Sequence, residues 1–196
     1  MTPTRRIGLF GGTFDPPHIG HLVAGVSAVH ELELDELVFV VASVPWQKAE
    51  SAQLSTAEHR LAMVRLAVPD RSGWSVSTVE IERGGDSVTA DTVEELRRAY
   101  GDAELVVIVG SDAAAGIGSW RRGDDLAEMT TLAVIDRPGA VGGRPPARFE
   151  HSVVPCPLMD VASSGIRHRV TQGLPIDFLV PDAVRDYIES HRLYRT

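Results

Sequence analysis

The residues best placed to do chemistry are Gly11-Gly12-Thr13-Phe14-Asp15-Pro16-Pro17-His18-Ile19-Gly20-His21, an eleven-residue run near the amino terminus. Its glycines let main-chain N–H groups approach a phosphate with no Cβ in the way, and Pro17 suits the first turn of a helix. His18 and His21 are three apart in that turn, so both imidazoles leave from one face, at the helix end whose dipole favours anions. Such a turn can cradle a polyphosphate and donate hydrogen bonds to its oxygens. The plainer alternative is a tight glycine turn with histidines capping the helix; the whole pattern asks for more than a turn requires.

A second group is Val161-Ala162-Ser163-Ser164-Gly165-Ile166-Arg167. Hydroxyls, helix amides and a guanidinium fork together can clamp phosphate, although Ser163 or Ser164 could equally cap a helix beside a solvated arginine. Mid-chain, Gly110-Ser111-Asp112 follows an apolar run, so the Asp112 carboxylate is placed to accept bonds from ribose hydroxyls or to cap a helix. Trp120 offers a flat face to a heteroaromatic ring or fills a core, and Thr89 precedes a helix, where its hydroxyl and nearby amides could bind a carboxylate or serve as a cap.

These residues need a frame. Ile7 to Phe10 reads as a buried strand, followed by a helix with Leu22, Val26, Val29 and Leu32 on its inward face. Leu37 to Val41 is apolar and β-branched, as a central parallel strand should be. A helix capped by Ser55, with Glu58 closing a capping box, turns Leu61, Val64 and Val68 inward. A strand near Trp74–Ile81, a helix over Asp91–Tyr100 and the strand Glu104–Val109 repeat the unit, and Thr131–Ile135 and His151–Val154 add two strands. The Pro- and Gly-rich segment 137–146 between them is expected to be a mobile surface loop. A short helix after Ser163 and a last one from Pro181, with Val184, Tyr187 and Ile188 inward, complete the chain. Alternation of this kind predicts an α/β fold: a doubly wound, Rossmann-like parallel sheet in a single domain over 1–196, with a short C-terminal helical appendage from about 160, and ligands at the carboxyl ends of the strands.

The chain has 196 residues and a formal net charge of −8. That balance excludes a broad duplex-binding face, so nucleic acid is not an expected partner. Cys156 is the single cysteine, and no stretch is long and apolar enough to span a bilayer, so the expected setting is the cytoplasm without a membrane partner. Homo-oligomerisation is left open.

The run from Gly11 to His21, with His18-Ile19-Gly20-His21 at its core, resembles the motif of nucleotidyltransferases related to class I aminoacyl-tRNA synthetases, in the form found in bacterial nicotinate mononucleotide adenylyltransferases. The resemblance implies that Gly11, Gly12, Thr13, Phe14, His18 and His21 bind the ATP triphosphate. Ser163, Ser164 and Arg167 match the family's second phosphate element, with Ala162 and Ser164 standing where serine and threonine are usual. His18, His21 and Arg167 are then the catalytic set. On the mononucleotide side the resemblance implies Gly110 and Asp112 at the ribose, Trp120 stacked on the pyridine, and Thr89 at its carboxylate, with Val88 in place of a common tyrosine. Lys48, in Pro45-Trp46-Gln47-Lys48, is similar to the family's lysine that meets substrate phosphate; by itself it reads as a surface lysine. The implied reaction moves the adenylyl group of ATP onto nicotinate mononucleotide, giving deamido-NAD and pyrophosphate for NAD biosynthesis. Mg²⁺ would be held mainly by ATP, with no protein metal site. Pantetheine-phosphate adenylylation, a short synthetase-like module and a catalytically silent nucleotide sensor are the competing readings.

Overall fold

The structure, a computed structural model, describes residues 4–44 and 54–195. Six strands form one sheet: β1 (Arg6–Gly12), β2 (Glu36–Val41), β3 (Trp74–Ser77), β4 (Glu104–Gly110), β5 (Thr131–Ile135) and β6 (His151–Val154), in the order β3-β2-β1-β4-β5-β6. Every pairing is parallel. The chain winds outward from β1 in one direction, then restarts at β4 and winds the other way. The crevice at the carboxyl ends of β1 and β4 is therefore the place where a doubly wound sheet opens to a ligand.

Alternation along the strands divides the core. Ile7 and Leu9 of β1 and Leu105, Val107 and Val109 of β4 pack on one face, under α4 (Thr89–Tyr100) and α6 (Gly123–Met129). Phe10, Val106 and Ile108 pack on the other, under α1 (Ile19–Glu31) and α2 (Ala57–Ala67). A third apolar cluster joins α2 to α7 (Ser163–Thr171) and α8 (Asp182–Ser190) through Met63, Ala67, Ile166, Val184 and Ile188. The C-terminal helices are thereby fastened beside the crevice.

Several expectations are corrected. Val26 is 50% exposed, and α1 instead buries Ala24, Gly25 and Ala28. A Cβ on Gly25 would lie 2.9 Å from Leu37 Cδ2 and 3.0 Å from Trp74 Cη2, so this small-residue face lets the helix sit close against β2. The cap of α2 is Thr56 rather than Ser55; its hydroxyl accepts from the His59 N–H. The strand near Trp74 stops at Ser77, and Val79–Arg83 forms a short helix, α3. Helix α4 begins at Thr89, two residues before Asp91. Helix α5 (Ser111–Gly116) starts one residue before Asp112, where a helix capped by Asp112 is one of the readings, and α6 matches no element read from the sequence. Pro181 stands at the N-cap of α8 rather than inside its first turn. The 137–146 loop has no regular structure, as expected; within it Arg144 pairs with Asp136 at 2.7 Å and Pro145 is buried.

Candidate active site

Beyond β1 the chain turns through Thr13 and Phe14 into the cis Asp15–Pro16 bond and enters α1. Phe14 adopts a φ of 50° and lies 2% exposed, its ring 4.9 Å from the His21 ring and 5.8 Å from Phe39. Gly12 makes this possible: a Cβ there would fall 2.8 Å from the Phe14 ring. The Phe14 side chain thus belongs to the core and braces an imidazole. Gly11, by contrast, has open space where a Cβ would stand.

The paired imidazoles lie with ring centroids 3.7 Å apart. The His18 main-chain N–H donates to His21 Nδ1 at 3.1 Å. A neutral His21 therefore carries its proton on Nε2 and presents a donor there. His18 is 4% exposed, and its Nδ1 has no hydrogen-bond partner among the described residues. Burial, with the Arg137 cation second, pulls the His18 pKa down to about 4 from 6.5. The ring is neutral at physiological pH and can take either donor or acceptor tautomer toward a ligand.

This shift has a sign that can be measured. Between pH 6.5 and 4 the unfolded chain accepts a proton that the folded chain refuses, so the fold loses stability as pH falls through that window. Taking urea unfolding from pH 7 to pH 5 should cost the wild type about 2 kcal/mol more than His18→Asn, which keeps a good N-cap residue and lacks the titration. Equal losses in the two proteins would contradict this assignment.

Behind the turn lies Arg60, 2% exposed and passed over in the sequence. It donates to Ser55 O (3.1 Å), Thr13 O (3.1 Å), Ala42 O (2.5 Å) and Ser43 O (2.7 Å), riveting the glycine turn to the end of β2. Its spacing with Met63, Val64 and Ala67 puts it on the buried face of α2, a signal that was available. Burial lowers its pKa, and the Asp15 carboxylate opposes that shift.

The second phosphate element meets the first. Ser163 opens α7, and its hydroxyl donates to Pro16 O at 2.9 Å; Arg167 Nη1 donates to Asp15 O at 2.8 Å. Arg167 Nε is buried with no hydrogen-bond partner among the described residues. Ser164 is exposed. All three residues, with Gly11, Gly12, Thr13, Phe14, His18 and His21, line one cleft of about 710 Å³.

The same cleft takes in Thr89, Gly110, Asp112 and Trp120 from the other half of the sheet. Thr89 occupies the first turn of α4 and lines this end of the cleft. Gly110 ends β4, and a Cβ there would meet Asp112 Oδ1 at 2.6 Å and Arg137 Cδ at 2.7 Å, so a larger residue would displace these two side chains. Asp112 lies in α5, not at its cap, and pairs with Arg137 Nη1 at 3.1 Å. Trp120 is half-buried, packed against the core on one side and lining the cleft on the other. Two further residues matter in this cleft: Arg137, which follows β5, and Ser87, whose buried hydroxyl has no hydrogen-bond partner among the described residues. Neither carries a motif that would have flagged it. Lys48 lies outside the described residues.

Among the described residues no group of three or more His, Cys, Asp or Glu could hold a metal ion, and no helix is long and apolar enough to cross a membrane. The cleft's carboxylates are otherwise engaged: Asp15 accepts from Ser55 N–H, Asp112 pairs with Arg137, and Asp136 pairs with Arg144.

Comparison with known proteins agrees with this geometry. Residues 9–190 match the cytidylyltransferase-like family. The chain is 42% identical to the "Probable nicotinate-nucleotide adenylyltransferase" of Saccharopolyspora erythraea over 100% of its own length and 92% of the relative's. It is 40% identical to the protein of the same name from Exiguobacterium sibiricum, over 97% and 100%. The fold superposes on Plasmodium falciparum nicotinic acid mononucleotide adenylyltransferase complexed with NaAD, with a TM-score of 0.79, 20% identity and 97% of each chain covered. The sheet order, the crevice and the full-length similarity together place this chain in the nicotinate-nucleotide adenylyltransferase family of cytidylyltransferase-like nucleotidyltransferases.

Proposed function

We propose that the protein transfers the adenylyl group of ATP to nicotinate mononucleotide, and that the two halves of its cleft divide the substrates. One observation carries the division: two phosphate-type elements, the glycine turn with its imidazoles and the Ser163–Arg167 segment, converge on Asp15 and Pro16, while Thr89, Gly110, Asp112 and Trp120 face them across the switch point. ATP occupies the first side. Gly11, Gly12 and Thr13 cradle its phosphates, His21 Nε2 and His18 donate to them, and Arg167 neutralises charge. Ser163, bound to Pro16 O, fixes the start of α7, and Ser164 stands open to the nucleotide. Lys48 is assigned to the approaching acceptor phosphate. Mg²⁺ enters on the triphosphate as part of the substrate; the carboxylates of the cleft are committed elsewhere, so its ligands are phosphate oxygens and water.

The reaction is an in-line displacement. A phosphate oxygen of nicotinate mononucleotide forms a bond to the α-phosphorus, the bond from that phosphorus to the bridging oxygen breaks, and pyrophosphate departs. A phosphate monoester is already nucleophilic at neutral pH, so no general base is required. Alignment and the spreading of developing charge over imidazole donors, amides and Arg167 supply the catalysis.

Acceptor choice rests on the far end. The N-terminal amides of α4, the Thr89 hydroxyl and the Ser87 hydroxyl, which has no partner among the described residues, form a donor-rich pocket suited to a carboxylate, while Trp120 supports the pyridine ring. Nicotinate is accordingly preferred over nicotinamide. Every assigned residue comes from this one chain, and the cytoplasm, where ATP and mononucleotides meet, is the assigned compartment. Incubation with ATP, Mg²⁺ and a panel of nicotinate mononucleotide, nicotinamide mononucleotide and phosphopantetheine, with mass analysis, tests this. Deamido-NAD should dominate; equal conversion of the two pyridine nucleotides would reject the preference, and dephospho-coenzyme A as the main product would reject the acceptor.

A further inference from the structure

The C-terminal tail reaches the glycine turn from outside the cleft. Tyr194, beyond α8, donates its hydroxyl to Asp15 Oδ1 at 2.6 Å, and its carbonyl accepts from Thr171 Oγ1 at 3.1 Å. Asp15 is 1% exposed, and its other carboxylate oxygen accepts from Ser55 N–H at 3.1 Å. The carbonyl of the same residue receives Arg167. Thr171 sits one helical turn after Arg167 and also donates to its carbonyl, at 3.0 Å. A single tyrosine therefore bonds both to the turn that would cradle phosphate and to the helix that carries the phosphate arginine. Burial, reinforced by the Asp15 carboxylate, raises the Tyr194 pKa, so the hydroxyl stays protonated and remains a donor.

We infer that Tyr194 is a positioning residue for ATP: through Asp15 and Thr171 it fixes the distance between the glycine turn and Arg167, so that both grip one triphosphate. The tail acts as a strap on the nucleotide side alone. The residues facing the acceptor, Thr89, Gly110, Asp112 and Trp120, lie on elements it does not bond. A hydrogen bond to a charged acceptor that is itself buried is of the kind whose loss is felt well beyond its mean worth.

The inference rests on the reading of this turn as the ATP site, and the test separates the two. MgATP is titrated calorimetrically against the full-length wild type, Tyr194→Phe and Tyr187→Phe, and the KM for nicotinate mononucleotide is measured for each. Tyr194→Phe keeps the ring and should weaken ATP binding about tenfold, with the acceptor KM within about twofold of wild type. Tyr187→Phe removes a different buried-side hydroxyl bond, to His59 at 3.0 Å, and should leave both constants unchanged. Asp15→Asn, which preserves shape while removing the charge, should weaken ATP binding similarly, and the double variant Asp15→Asn with Tyr194→Phe should be no weaker than the worse single change. Wild-type ATP affinity in Tyr194→Phe, or equal losses for ATP and acceptor, would overturn the strap. A wild-type protein that does not bind ATP would overturn the assignment of the site, and the strap with it.

Discussion

His21→Ala should lose turnover by about 10²- to 10³-fold while ATP affinity changes only several-fold. The expectation follows from what the ring is held to do. Its Nδ1 accepts from the His18 N–H, its ring is braced by Phe14 at 4.9 Å and lies 3.7 Å from the tilted His18 ring, and a neutral ring so engaged carries its proton on Nε2. A donor of fixed direction in a partly dry cleft is worth most where charge develops, on the phosphorane oxygens and the departing pyrophosphate, and less against ground-state ATP. The substitution also removes the bond to the His18 N–H, which costs about 1 kcal/mol of stability. A steady-state comparison checks this, with thermal unfolding as the control for folding. A variant within tenfold of the wild-type kcat would remove His21 from the catalytic set.

Arg167→Ala should fall about 10³-fold in kcat/KM for ATP, and Arg167→Lys should recover less than a tenth of that loss. Arg167 holds Asp15 O through Nη1 while its buried Nε lacks a hydrogen-bond partner among the described residues. A guanidinium can keep its structural bond and still present donors to a phosphate; lysine has one ammonium for both tasks. The acceptor KM should move far less than the ATP term. If the lysine variant matched wild type, simple charge would suffice, and the forked geometry would carry no weight.

How much of this was legible in the sequence depends on how local each signal was. The parallel strands announced themselves as β-branched runs such as Leu37–Val41 and Glu104–Val109, and the glycine turn as a dense pattern between a strand and a helix. Helices α3, α5 and α6 span five to seven residues, too short for apolar periodicity to emerge. Val26 was misplaced because α1 contacts the sheet through Ala24, Gly25 and Ala28, where close approach matters more than bulk. Among the described residues, Gly11 to Phe14, His18, His21, Thr89, Gly110, Asp112, Trp120, Ser163, Ser164 and Arg167 do converge on one cavity. Arg60, Ser87 and Arg137 escaped notice because each is a single residue whose meaning comes from distant carbonyls, a buried hydroxyl or a neighbouring strand end. Asp15 and Tyr194 are 179 positions apart, and only folding makes them partners.

The most direct measurement follows phosphorus. With ATP labelled separately at the α- and γ-phosphates and nicotinate mononucleotide as acceptor, the α label should appear entirely in the dinucleotide and the γ label entirely in pyrophosphate. Transfer of the γ label to the acceptor would mean that the glycine turn and its imidazoles serve attack at the wrong phosphorus, and the function assigned to this cleft would not stand.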